Sequence, residues 1–251
     1  MEKEIKNKVV ILAAGKGTRM GSDLPKVLIE IKGKPMIEHL VKSVLESGLD
    51  SKPIVVVSPT NKDIISEKLK NYSLEYAIQE EQLGTGHAVS ITQNSISDDI
   101  DNIFVFNGDH PFISSKSMIS LANNHKNKVS MMVVELENFL DWRNVFNSWG
   151  RIIKDGDKIK EIIEFKDASD KVKEVLSVNP AIYCFDKNWV FKNISTLKNN
   201  NNQKEYYLTD LIKIAFDQGS DINYCLIEAE EGLGINSVLD LENAKKANHL
   251  N

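Results

Sequence analysis

Residues 9–28 read VVILAAGKGTRMGSDLPKVL. An unbroken apolar run stops at Ala14 and gives way to two close glycines, Gly15 and Gly17, then Arg19 and a Pro25-Lys26 pair. A strand that ends in such a loop looks built to hold phosphate. The glycines let the backbone approach an anion, and their N–H groups can form a concave nest. Arg19 and Lys26 add cationic donors for phosphate oxygens. A plain glycine turn with two solvated cations is the alternative, and the placement of Pro25-Lys26 after Arg19 puts it behind. Neither common phosphate motif is matched. A Walker loop needs its lysine followed by Ser or Thr, and Lys16 is followed by Gly17; a dinucleotide fingerprint needs a glycine where Met20 stands.

Outward from that loop, the first half alternates between two hydrophobic periods. Residues 8–14, 52–58, 74–79 and 102–107 are continuous apolar runs, as strands buried on both faces should be. Between them lie helical patterns. In residues 35–48, Met36, Ile37, Leu40, Val41, Val44 and Leu45 make one stripe, with Pro35 at the start and Gly48 at the stop. Further helices are expected near 61–71, 86–95 and 115–126. Such repetition predicts an α/β fold, a mostly parallel sheet wrapped by helices, with ligands beyond the carboxyl ends of its strands.

The second half differs. Residues 129–137 read as a strand, 150–165 as a hairpin turning at Asp155-Gly156-Asp157, and 177–185 as one strand. A helix follows, then the Asn-rich linker 199–203, a helix near 207–218, the strand INYCLIEA and a last helix. The expected division is one domain over 1–251, with a nucleotide lobe to about 128, a substrate lobe over about 129–237 and a terminal helix.

Composition narrows the classes. The chain has 251 residues, 41% of them hydrophobic, and a net charge of −5. No basic excess exists to displace counterions, which argues against a nucleic-acid partner. No apolar run reaches membrane-span length, so no membrane partner is expected. Cys184 and Cys225 stand in apolar runs without metal or redox spacing, which suits a reduced, cytoplasmic setting.

Four further motifs carry chemistry. Gln79 and Gln82 precede Gly84-Thr85-Gly86 at a helix start. The amides can read a base edge and the helix start can offer N–H groups, but a loop capped by Thr85 explains the same residues equally well. Asn107-Gly108-Asp109 ends a buried strand, where Asp109 suits a Mg²⁺ ligand or a helix cap. Asn236 could give a second oxygen or cap the last helix. Glu164 and Asn179 lie near strand ends of the second half and alone say nothing specific.

Taken together, VVILAAGKGTRM, SDLPKVL, QLGTGHAV, the GD of NGDHP, GRI, IEFKDA, EYYLTD and GINS closely resemble the uridylyltransferase domain of the bacterial bifunctional N-acetylglucosamine-1-phosphate uridyltransferases, over essentially the whole chain. The resemblance implies a doubly wound, Rossmann-like sheet with an added hairpin-containing substrate lobe. It implies Mg²⁺-dependent transfer of UMP from UTP to a sugar 1-phosphate. Leu12, Ala13, Ala14, Gly15, Gly17, Gln79, Gln82, Gly84, Thr85 and Gly108 would hold the nucleotide. Arg19, Lys26 and Asp109 would be catalytic, with Asp109 and Asn236 on the metal. Thr85, Asn107, Gly150, Glu164 and Asn179 would position the sugar. Two departures fall on the sugar side: Asn107 stands where the family usually has an aromatic residue, and Pro180-Ala181 follows Asn179 in place of Thr-Gly. Proline drives Asn179 towards extended backbone, and alanine lacks glycine's freedom. The family continues into a β-helix acetyltransferase; none follows GINS here, so neither acetyl transfer nor trimerisation through that helix is expected. A same-fold enzyme for another sugar phosphate or nucleotide, and a non-catalytic binding module, are the competing readings.

Overall fold

The apolar run at Val9 forms β1 (Asn7–Leu12) in the computed structural model, which describes residues 5–15 and 24–246. A short ribbon, β2 (Glu30–Ile31) and β3 (Lys34–Pro35), leads into α1 (Met36–Ser47), which ends on Gly48 at φ 71°. Then come β4 (Ile54–Val57), α2 (Lys62–Lys68), β5 (Glu75–Ile78), α3 (Thr85–Ser90), β6 (Asn102–Asn107) and α4 (Ser115–Asn124). The second half holds β7 (Val129–Glu135), the hairpin β8 (Arg151–Asp155) and β9 (Lys158–Ile163), α5 (Asp170–Lys173), β10 (Ser177–Val178) and β11 (Tyr183–Asp186). It closes with α6 (Lys187–Ile194), α7 (Asp210–Asp217), β12 (Ile222–Leu226), α8 (Ala229–Gly232) and α9 (Val238–Lys246).

Strands β5, β4, β1 and β6 lie side by side and parallel, and β12 is parallel to β7. Strand β11 runs antiparallel between β6 and β7, and β7 continues through β10 to the hairpin. The chain therefore leaves β1 in one direction, through β4 to β5, and returns to pair β6 on the other side. That reversal opens a crevice at the carboxyl ends of β1 and β6, where Leu12 is level with Asn107.

Both faces of the sheet are dry. Val9 and Ile11 pack with Phe104 and Phe106 under Ile37, Leu40 and Val44 of α1 and Met118 of α4. Val10 and Val105 face the other way, towards Val89 of α3, Val190 of α6 and Leu211 of α7. The doubly wound sheet and the 155–157 turn are as the sequence predicts. Cys184 is buried in β11 and Cys225 half-buried in β12, both as free thiols. Among the described residues no helix is long and apolar enough to cross a membrane.

The expected single strand over 177–185 is broken. Pro180 has no N–H for a ladder. Asn179 folds its Oδ1 onto the Ala181 N–H at 2.9 Å, and Ala181 takes a left-handed φ of 55°. The chain thus leaves β7 and β8 at Val178 and re-enters the sheet between β6 and β7 at Tyr183. The expected helix over 86–95 is likewise two pieces, α3 and a 3₁₀ turn at Gln93–Ser95. An unforeseen 3₁₀ stretch, Asp141–Ser148, packs Phe146 against Trp149 in a third core beneath the substrate side.

A left-handed alanine costs about 1–2 kcal/mol, partly offset by the extra freedom glycine has when unfolded. Ala181→Gly is therefore expected to raise stability by up to about 1 kcal/mol, read as a higher urea midpoint at unchanged slope. A lower midpoint would mean that the turn carries no strain.

Candidate active site

Parallel pairing of β1 with β6 fixes the floor of the site. The Gly108 N–H donates to Leu12 O at 2.9 Å, and a Cβ on Gly108 would stand 3.1 Å from that oxygen and from Val27 Cγ1. Glycine is thus what lets the end of β6 close on the first loop and place Asp109 beside it. The lysine comes from the short 3₁₀ turn Lys26–Leu28, anchored by buried Val27 and Leu28.

Lys26, Asp109 and Asn236, drawn from three distant parts of the chain, meet here. The Lys26 ammonium donates to Asp109 Oδ2 and, at 2.8 Å, to Asn236 Oδ1. Burial opposes charge on Asp109, yet the Lys26 ammonium and His110 outweigh it and hold the carboxyl below its ordinary value. Its other oxygen, Oδ1, is buried with no hydrogen-bond partner among the described residues; His110 Nε2 stands 3.6 Å away. Burial also pushes His110 down, towards the neutral form, against the pull of Asp109.

Both alternative roles as helix caps fail. Ser114 caps α4 by accepting from Ser117 N, and Ser237 Oγ accepts from Asp240 N at the start of α9. Asp109 and Asn236 thereby keep their side-chain oxygens for the cleft. One unpaired carboxylate oxygen and a neighbouring amide oxygen fit a hard divalent cation, which takes one or two protein oxygens and completes its shell with phosphate and water.

A cleft of about 230 Å³ runs from this cluster across the strand ends. Leu12, Ala13, Ala14, Gly15 and Lys26 line one side, and Gln79, Gln82, Gly84 and Thr85 the other. Gln79 is buried at the end of β5, its Nε2 donating to Gly84 O at 3.2 Å and standing 3.1 Å from His87 Nδ1. Two expectations about this loop are corrected. The Gly86 N–H is not free, since Tyr206 O accepts it at 2.8 Å. Nor does Thr85 cap α3: Gly84 holds that position, and the Thr85 hydroxyl accepts instead from Leu208 N at 3.0 Å. Gly84 itself sits at φ 109°, and a Cβ there would come within 2.7 Å of Tyr206 O.

On the opposite side, Asn107, Gly150, Glu164 and Asn179 surround a second opening together with Asp109 and Asn236. Asn179 is buried, its Nδ2 donating to Tyr183 OH at 2.7 Å and its N–H to Gly150 O at 3.0 Å. Gly150 leaves room that a Cβ would fill, 2.9 Å from Ile162 Cγ2 and 3.5 Å from Glu164 Oε2. Trp149 and His110 complete that wall, their rings 5.7 Å apart. Glu205, which lines the 230 Å³ cleft, was not singled out from sequence; it lies within the EYYLTD motif, which read only as part of a family pattern. Gly17 and Arg19 lie outside the described residues.

A family model described as nucleotidyl transferase matches residues 8–233. The chain is 34% identical over 240 residues to the bifunctional protein GlmU of Clostridium botulinum (strain Eklund 17B / Type B), covering 94% of this chain and 51% of that protein. It is 37% identical over 245 residues to GlmU of Streptococcus agalactiae, covering 96% and 51%. With GlmU of Desulfotalea psychrophila it shares 35% over 243 residues, covering 96% and 70%. The chain thus spans about half the length of most of these curated relatives. Among solved structures, one assigned as a glucose-1-phosphate thymidylyltransferase from Bacillus anthracis superposes with a TM-score of 0.75 at 19% identity, covering 98% of this chain and 96% of that one. A 4-diphosphocytidyl-2C-methyl-D-erythritol synthase from Anaerococcus prevotii gives 0.69 at 16%, covering 98% and 97%. At these identities the superpositions establish the fold.

Gly84 combines a backbone conformation reserved for glycine with contact to the Tyr206 main chain. Gly84→Ala is expected to cost roughly 2 kcal/mol or more, and to open the 83–86 loop to proteolysis. Wild-type melting and cleavage would show that the loop tolerates a Cβ.

Proposed function

Because the chain belongs to the nucleotidyl transferase family, we propose that it transfers UMP from UTP to a sugar 1-phosphate, N-acetylglucosamine 1-phosphate foremost, releasing pyrophosphate. The observation that carries the reading is the meeting of Lys26, Asp109 and Asn236 at the head of the cleft that Gln79 and Gly84 enclose. The GlmU relatives support the choice of substrates.

In this reading the Gln79 and Gln82 amides hold the uracil edge, with Gly84 close below. Backbone groups of Leu12 to Gly15 follow the nucleotide to its phosphates, where Lys26, Arg19 and the Gly17 nest supply positive charge. Asp109 and Asn236 would hold Mg²⁺, which when bound neutralises phosphate charge and orients the α-phosphate. Lys26 bridges those two oxygens. Its ammonium, at the head of the cleft, would offset charge growing on the departing pyrophosphate. Thr85, Asn107, Gly150, Glu164 and Asn179 orient the sugar. The lobe boundary near residue 128 separates the nucleotide residues from most of these.

The attacking sugar phosphate is already an anion near neutral pH, so no general base is required. The work of the site is to bring two anions together and stabilise a third. A cluster with a cation and metal-type oxygens suits that task.

A second reading, transfer to a different sugar phosphate, is favoured by the substrate-side turn. Ala181, held left-handed after Pro180, and the amide of Asn107 both line a further cavity that adjoins the cleft at Leu12 and Thr85.

Pyrophosphate release, measured with Mg²⁺ over four nucleoside triphosphates and a panel of sugar 1-phosphates, tests both. Release confined to UTP with N-acetylglucosamine 1-phosphate is expected, lost on chelation and reduced at least about 100-fold in Asp109→Asn. Release with UTP and another sugar selects the second reading. No release with any pair, or a fully active Asp109→Asn, sinks the proposal.

A further inference from the structure

The substrate class can be narrowed further, taking the transfer reading as premise. Leu12, Thr85, Asn107 and Glu205 form a wall shared by the nucleotide cleft and an inner cavity of about 200 Å³. The polar lining of that cavity is one-sided. Glu164 and Glu205 stand there with Gln203, Thr209, Tyr183 and Tyr207, and no Lys, Arg or His lines it among the described residues.

Most of its neutral groups are already engaged. Thr209 donates to Glu164 Oε1 at 3.0 Å, Gln203 to Tyr207 OH at 2.9 Å, and Asn179 to Tyr183 OH at 2.7 Å. Beside the Asn107 amide and the tyrosine O–H donors, a ligand there meets two carboxylates: Glu164 through its second oxygen, and Glu205, which makes no side-chain hydrogen bond or ion pair among the described residues. Burial pushes Glu205 up, and Lys166, on the exposed rim with its ammonium on Gln203 Oε1 at 2.6 Å, pulls against that rise.

Behind Glu164, Asp167 and Asp210 line an adjoining cavity, with Lys198 its one cation among the described residues. Burial pushes Glu164 up, the Thr209 hydroxyl pulls against it, and Asp210, Asp167 and Glu205 add to the push. Burial and Asp167 likewise carry Asp210 up to about 6. The surroundings already resist the negative charge they hold. Another anion placed among them meets repulsion across a poorly solvated gap, whereas a cation relieves it.

We propose that the inner cavity selects sugar 1-phosphates by the charge of the ring: neutral and ammonium-bearing sugars enter, sugars bearing a carboxylate are refused, and Glu164 and Glu205 set the choice. The phosphate of the substrate stays on the Lys26 side of the shared wall. Refusal is therefore aimed at the ring substituents alone, by like charge rather than by shape.

Three ligands of one ring size separate charge from fit: glucose 1-phosphate, glucosamine 1-phosphate and glucuronate 1-phosphate. Their dissociation constants are measured calorimetrically on the full chain with Mg²⁺ and a non-hydrolysable UTP analogue, and turnover with UTP is followed in parallel. Glucuronate 1-phosphate is expected to bind at least tenfold more weakly than glucose 1-phosphate, and glucosamine 1-phosphate at least as tightly. Glu205→Gln, and separately Glu164→Gln, should narrow the glucuronate deficit threefold or more. Equal binding of the three, binding of none, or a deficit unchanged in both variants overturns the charge rule. Selective binding without turnover would leave the rule standing and sink the transferase reading instead.

Discussion

The site depends on the parallel pairing of β1 with β6. Six residues of each strand are in register, and the Gly108 N–H on Leu12 O carries the pairing one step past the strand end. With β4 on the far side of β1, no third strand can fill the space between the two carboxyl ends. The first loop and Asp109 therefore emerge side by side, and every other contribution is measured from them. Lys26 arrives from the turn beneath, Gln79 from the end of β5 and Asn236 from the loop before α9. A slip of one residue in β1 would exchange the side chains it presents to the two cores and carry the loop out of register with Asp109.

Much of this was legible along the chain. Continuous apolar runs marked the buried parallel strands, since strands covered on both faces need no alternation. Glycines beside polar residues at their ends marked the crevice. Asp109 and Asn236 could not be told from helix caps by spacing alone, because a cap and a metal ligand want the same short oxygen-bearing side chain. In the fold Ser114 and Ser237 take the capping bonds, which leaves the Asp109 and Asn236 side chains at the cleft.

What stayed illegible depends on contacts across long separations. Glu205 owes its place in the cleft to the pairing of its neighbour Tyr206 with Leu83, a junction between segments more than a hundred residues apart. The break at Asn179 was half visible: Pro180 announced a disturbed strand, but its depth follows from the Asn179 side chain turning onto Ala181. The apolar patterns that defined the first half of the chain say little about the second half. Its walls are short strands, 3₁₀ turns and single polar residues held by one another.

The junction at Tyr206 is made by main chain alone: its N–H reaches Leu83 O and its carbonyl takes the Gly86 N–H, each at 2.8 Å. The seam's hydrogen bonds do not involve the side chain at 206, which instead packs against the core. Intolerance is shifted to the facing strip, where a Cβ on Gly84 or Gly86 would strike the Tyr206 backbone within 3 Å. Two segments that meet through matched main-chain bonds thus bear unequal steric demands, the facing strip having no room for a side chain at 84 or 86.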